Sequence, residues 1–292
     1  MPCPSDFASA LASLKARIDS GAFPEIEPAC RFCDGYGNLI SEVVEDGRTY
    51  STAKPCPACA ERNQARKHGA MTSCALDRFK NTIPHGLQFA LDHRFVWETK
   101  ARDIVGRYCG VVKVEKNRLT AEHGLIMLGS PGVGKTIAAL FGITELIHRC
   151  PWTDIFHVQN FSALLDQYQH GSPEAGPSWA AQKDHTRRRI TRAGLIVIDD
   201  IGRQVKYDGA SRSAQQDLLF LVLSKASDDR IPCVLISNLD KDGFRQFLGS
   251  DAARSRLDAP YWAISTITGD DLRQPGMANN YSPEVTEHVL VH

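Results

Sequence analysis

A chain of 292 residues with 42% hydrophobic and 23% charged side chains is long enough for one large domain and a small one, and its composition excludes a disordered or fibrous protein. Its 34 basic and 34 acidic side chains cancel, which excludes a globally basic nucleic-acid coat but leaves room for a local basic surface. The longest strongly apolar run, residues 218–223, is far shorter than the ~20 residues of a bilayer-spanning helix, so no membrane span is expected.

The first segment, residues 1–27, opens MPCPSDFASALASLKARIDS. It carries acidic residues and lacks a basic start followed by an apolar core, so it does not read as a secretory signal, and a cytoplasmic location is expected. Phe7, Ala10, Leu11, Leu14 and Ile18 fall at steps of three and four, the stripe of a short amphipathic helix facing either its own domain or a partner. Ser5 or Asp6 supplies its N-cap, and Pro24 and Pro28 end it.

Of nine cysteines, Cys30, Cys33, Cys56 and Cys59 form two Cys-x-x-Cys pairs and the rest are scattered. An odd count, tight pairs and no export signal point to metal ligands in a reducing compartment rather than to disulfides. Four thiolates fill a tetrahedral shell, so the spacing predicts one structural zinc in a module at residues 28–62, folded largely by the metal. A redox Cys-x-x-Cys is the rival, disfavoured because neither pair opens a helix after a strand; His68 and His85 are weaker substitute ligands. Between the pairs, Glu45-Asp46-Gly47 separates Val43 and Val44 from Tyr50, the turn of a small hairpin. Residues 63–81, with Arg66, Lys67, Arg78 and Lys80, read as a basic helical linker.

Beyond Pro84 strands alternate with helices. Strands are expected at residues 124–129, 154–159, 195–199, 233–237 and 261–268, which implies crossover connections and a parallel sheet, with a turn-rich insertion at 171–179. Gly129-Ser130-Pro131-Gly132-Val133-Gly134-Lys135-Thr136 matches GxxxxGK[ST] between a predicted strand and a predicted helix. In such a loop backbone N–H groups cradle phosphates, the lysine reaches the terminal ones and the threonine holds magnesium. The buried run Leu195-Ile196-Val197-Ile198 ends in Asp199 and Asp200, at the end of a parallel strand where ligands bind. Asp199 is expected to hold magnesium through water, and Asp200 to orient and deprotonate the attacking water. A third strand ends at Asn238, able to bond a water and a phosphate oxygen, or simply to close a turn.

The phosphate loop, LIVIDDIG at 195–202, LISNLD at 235–240, SRL at 255–257 and GDDLR at 269–273 together resemble the DnaC/DnaI/IstB family of AAA+ ATPases over residues 82–275. The stretch from Thr82-Ile83-Pro84 to Phe95 resembles the start of that family's ATPase domain. The CxxCxGxG stretch from Cys30 to Gly37, with the later pair, is similar to the zinc-bearing N-terminal module of some DnaC-like loaders. The fold implied is α/β: an AAA+ P-loop NTPase parallel sheet with flanking helices, plus a small zinc-ribbon-like module and a tail at 276–292. Too few residues follow 268 for a full helical lid, which puts Arg273 as a second sensor in doubt.

By that resemblance Lys135 and Thr136 bind ATP and Mg2+, Asp199 and Asp200 form the Walker B pair, and Asn238 is the first sensor. Arg256 is the arginine finger, with Arg254 and Arg230 as alternatives, or otherwise a surface ion pair with Asp251 or Asp258. Family members load replicative helicases on DNA or assist transposition. The implied function is therefore an ATP-dependent helicase loader, with a transposition helper as the second reading. Expected partners are a replicative helicase or a transposase, single-stranded DNA, and further copies of the chain through the ATPase domain. In the loop at 202–213, Lys206 and Tyr207 would suit a strand's phosphate and a stacked base, or lie on a solvated loop. A small-molecule kinase would leave Arg254, Arg256 and the cysteine module unexplained, and a vestigial ATPase is disfavoured by intact Lys135, Asp199 and Asp200.

Overall fold

The structure, a computed structural model, describes residues 30, 33, 38–45, 47–91, 99–170, 179–202, 209–269 and 271–272. The expectations for residues 1–27, for 171–178, for Lys206 and Tyr207, for Arg273 and for 276–292 lie outside the described residues. The chain divides into two units, Met1–Ala70 and Met71–His292.

In the first unit, β1 (Asn38–Glu45) and β2 (Arg48–Pro55) pair antiparallel, with Val43 opposite Tyr50 and Glu45 opposite Arg48. That register leaves a two-residue connection ending in Gly47 at φ 73, the left-handed conformation that an Asp-Gly hairpin turn requires. A two-stranded hairpin is marginal in water by itself. What it packs on is sulfur: Cys33, Cys56 and Cys59 form the buried cluster, with Cys30 and Leu39 against it. Helix α1 (Pro57–Lys80) starts on a proline, which the first helical position tolerates because its N–H would be unpaired there. Contrary to expectation, the Cys56–Cys59 pair thus does open a helix after a strand, and what disfavours a redox pair is instead the clustering of all four sulfurs.

In the second unit, the last turns of α1 contribute Ala75 and Phe79 to the core. Helix α2 (Lys100–Val111) leads through β3 (Lys113–Glu115) and β4 (Arg118–Thr120) to β5 (Gly124–Gly129) and α3 (Lys135–Arg149). Then come β6 (Ile155–Val158), α4 (Phe161–His170), α5 (Trp179–Arg192), β7 (Leu195–Ile201) and α6 (Gly209–Asp229). The last elements are β8 (Cys233–Ser237), α7 (Lys241–Leu248), α8 (Asp251–Leu257) and β9 (Trp262–Ile267).

The five-stranded sheet is parallel throughout and runs β6-β7-β8-β5-β9. Its central strands are apolar on both faces because both are covered. Leu125, Met127, Val197, Val234 and Ile236 face α2 and α3, while Ile126, Leu128, Ile196, Ile198 and Leu235 face α4, α6, α7 and α8. This alternation with period two is what a strand buried on both sides imposes. The expected strands are all present, in one parallel sheet with helices on both faces. Among the described residues no helix follows β9, and none is long and apolar enough to cross a membrane.

Two features depart from the expectation. The short hairpin β3–β4 turns at Lys116 (φ 49) and Asn117 (φ 62), both left-handed, without the glycine that would have marked it. Strand β7 does not end at Asp199 but continues to Ile201 through a bulge: Ile198 pairs with Leu235, yet Ile201 pairs with Ser237. The extra residue on the β7 side lies at the aspartates, where a bulge re-aims side chains.

Candidate nucleotide site and metal centre

The phosphate loop joins the end of β5 to the start of α3. Gly132 (φ 85) and Gly134 (φ 89) are both left-handed, a conformation costly for residues with a β-carbon. This turns successive N–H groups toward one point, a concavity that suits anions at a helix N-terminus. Lys135, only 5% exposed, donates to Gly129 O at 2.8 Å, to Ser130 O at 2.8 Å and to Asn238 Oδ1 at 3.1 Å. Its three protons are thus matched by three oxygens of the protein, the satisfaction a buried ammonium needs.

Thr136 Oγ1 donates to Asp199 Oδ2 at 2.5 Å, tying the loop to β7. Asp199 is 7% exposed, and burial pushes its carboxyl above the usual range, opposed by the Thr136 hydroxyl, the Asp200 amide and Lys135. Asp199 Oδ1 accepts that amide at 2.6 Å. Asp200 itself has φ 59, a left-handed conformation at the bulge. Residues held there cost of order 1 to 3 kcal/mol and cluster at functional sites. Asn238 Nδ2 donates to Asp200 Oδ1 at 3.4 Å, and the fully buried Ser237 donates to Ile201 O at 2.6 Å, bracing β8 against β7 just past the bulge. Lys135, Thr136, Asp199, Asp200 and Asn238 therefore form one connected set across three adjacent strands. A hydroxyl and a buried carboxylate are the hard oxygen donors that Mg2+ takes alongside phosphate and water, so the residues fit that ion.

Two contacts of this site have no counterpart in the sequence reading. Leu272 N–H donates to Gly132 O at 3.1 Å, and a β-carbon on Gly132 would stand 1.8 Å from Asp271 Oδ1. Asp271 and Leu272 thus lie against the phosphate loop at Gly132, where the left-handed φ itself favours glycine. GDDLR at 269–273 was the only signal, and it carried no role for Asp271.

Arg256 lies on α8, where its Nη1 bonds Asp228 Oδ1 at 2.9 Å and its guanidinium sits 6.0 Å from the centre of the Phe220 ring. Its ion-pair partner is thus on α6 and is neither Asp251 nor Asp258. Those acids hold other cations: Asp251 pairs with Arg254 at 3.4 Å, one helical turn on, and Asp258 pairs with Arg245 at 2.8 Å. Arg256's contacts are outside the set around Lys135.

In the first unit, the sulfurs of Cys30, Cys33, Cys56 and Cys59 all lie within 4.8 Å of one another. Cys30 and Cys56 are 3.9 Å apart and Cys33 and Cys59 3.5 Å. A tetrahedral zinc with Zn–S of ~2.3 Å needs sulfurs ~3.8 Å apart, so the residues fit that ion. Each pair closes a tight knuckle, Cys33 N–H to Cys30 O and Cys59 N–H to Cys56 O, both at 3.1 Å. As a thiol, Cys59 is held protonated: hydrogen bonding with Cys30 and then burial push it up to about 12. Arg62 Nη2 lies 3.4 Å from Cys59 Sγ, a cation that offsets the excess negative charge four thiolates would bring. His68 and His85 are outside this cluster, which among the described residues is the one group of three or more Cys, His, Asp or Glu side chains close enough to share an ion.

No protein-family model matches the chain. Among solved structures, the crystal structure of the DnaC helicase loader is similar, with a TM-score of 0.45 and 16% identity, covering 63% of this chain and 100% of that one. The crystal structure of DnaI gives a TM-score of 0.43 and 20% identity over 60% of this chain and 83% of that one. Domain III of the Thermotoga maritima replication initiation protein DnaA gives 0.42 and 16% over 61% and 66%.

Proposed function

We propose that this chain is a cytoplasmic, Mg2+-dependent ATPase that loads a replicative helicase onto single-stranded DNA, with ATP hydrolysis as the switch. The observation that carries the ATPase half is the single hydrogen-bonded set running from Lys135 through Asn238 and Asp200 to Asp199 and Thr136. In it each residue has a distinct task. The N–H groups at the start of α3 hold phosphate oxygens, and Lys135 exchanges Ser130 O and Asn238 for the terminal ones. Mg2+, when bound, would supply positive charge that offsets the negative charge of the phosphates. Thr136 and Asp199 are the groups that would hold it, and its charge favours the ionised form of Asp199 that burial disfavours. Asp200, aimed by the bulge and bonded to Asn238, orients the attacking water and takes its proton.

The loader half is supported by the set of motifs over 82–275 that resembles the DnaC/DnaI/IstB family, together with the four-cysteine module that precedes it. It is tested by adding the purified full chain to the host's replicative helicase and circular single-stranded DNA. Helicase should be retained on the circles only when this protein and ATP are present. Retention without this protein, or capture of a transposase in place of the helicase, would contradict it.

Self-association through the ATPase domain gives Arg256 its part. Released from Asp228, an exposed pair of the kind worth about 0 to 1 kcal/mol, its guanidinium can reach a neighbouring subunit's terminal phosphate. Arg256→Ala should bind ATP normally yet hydrolyse it at least about 10³-fold more slowly, as where arginine fingers act in other ATPases. Adding Lys135→Ala subunits, which bring an intact arginine but no nucleotide, should restore part of the phosphate release. No rescue at any ratio in a protein that self-associates would move the role to Arg254, Arg230 or a partner's residue.

A further inference from the structure

The sheet order gives the nucleotide site two distinct sides. Asp199 and Asp200 come from β7 and Asn238 follows β8, both on one side of β5, while β9 borders β5 on the other. A nucleotide whose terminal phosphate meets the carboxylates on the β7 and β8 side has its nucleoside leaving the loop toward β9. There the chain turns back onto the loop: Leu272 N–H bonds Gly132 O at 3.1 Å, and the Asp271 carboxylate is seated against Gly132 in the space a β-carbon would fill. An ionised carboxylate is an acceptor only, so it has nothing favourable to offer a phosphate. A nucleoside, in contrast, presents hydroxyl donors from its ribose, and bonds from hydroxyls to carboxylates are among the stronger ones.

We propose that Asp271 accepts a hydrogen bond from a ribose hydroxyl of the bound nucleotide, which makes the site discriminate against a nucleotide that lacks that hydroxyl. This rests on the ATP-binding reading above. The segment after β9 is then part of the site in its own right, with Gly132 left bare so that the carboxylate can approach. Because Leu272 anchors the same segment to the loop, the acceptor is positioned before the nucleotide arrives, which lowers the ordering cost of recognition.

The test is equilibrium binding of ATP, 2′-deoxy-ATP and 3′-deoxy-ATP to the full chain, its Asp271→Ala and its Asp271→Asn variants, followed by calorimetry. Wild type should hold ATP about tenfold or more tightly than the analogue lacking the contacted hydroxyl, the size expected of a hydrogen bond to a charged group. Asp271→Ala should lose that factor for ATP and nothing for that analogue, so the preference disappears. Asp271→Asn keeps the shape and one acceptor and should fall between; if Asp271→Ala does not fold, the same comparison is made with Asp271→Asn. An equal loss for all three nucleotides, or tighter binding by the variants, would overturn the inference. Wild type that binds ATP and both deoxy analogues equally overturns it alone, whereas wild type that binds none of them overturns the ATP reading as well.

Discussion

Asp200→Asn should bind ATP as wild type does and hydrolyse it about 10²- to 10⁴-fold more slowly, the range for loss of a positioned general base. The cradle explains the first half: Gly132, Gly134, Lys135 and Thr136 are untouched by the change. The bulge explains the second. Asp200 sits at φ 59 between Asp199, which its amide bonds, and Asn238, which bonds its carboxylate at 3.4 Å. Asparagine tolerates the left-handed region as well as aspartate does, so the backbone and the amide bond to Asp199 survive. What is lost is the charge that accepts water's proton. Single-turnover phosphate release, with nucleotide affinity measured in parallel, checks both halves; unchanged turnover would assign the base elsewhere.

Removing the metal should unfold the hairpin β1–β2. Among its described residues this segment has no apolar core besides the four cysteines and Leu39, while structural zinc contributes about 10 to 16 kcal/mol in comparable small modules at neutral pH. Elemental analysis should find one zinc per chain, and chelation should abolish hydrogen-exchange protection of the hairpin amides. Affinity should fall as pH falls, because zinc takes thiolates and binding must expel thiol protons, Cys59 being pushed up to about 12 by hydrogen bonding with Cys30 and by burial. A metal-free chain with a protected hairpin, or two metals per chain, would contradict this.

Much of this was readable from local pattern. The runs of β5, β7 and β8 are apolar on both faces and bounded by turn formers, the phosphate loop is contiguous, Asp-Gly marks the first hairpin, and the two Cys-x-x-Cys pairs carry their own geometry. What escaped depends on residues far apart in sequence or on backbone angles that composition does not encode. Strands β3 and β4 have three residues each and turn on Lys116-Asn117, too short and too plain for periodicity. The bulge at Asp199 and Asp200 became visible only once β8 supplied the register on the other side. Arg256 found Asp228 on another helix because Asp251 is taken by Arg254, and Asp271 reached Gly132 only through the pairing of β9 with β5.

That Lys135 and its partners form a working nucleotide site is tested most directly by thermal melting and calorimetry of the zinc-loaded full chain with and without ATP and Mg2+. Wild type should bind one nucleotide per chain and gain about 2.7 kcal/mol at a hundredfold excess over Kd, since only the folded state binds. Lys135→Ala should melt at the unliganded temperature whatever the nucleotide concentration. A folded wild-type protein indifferent to ATP and Mg2+, or a Lys135→Ala variant stabilised as much as wild type, would contradict it.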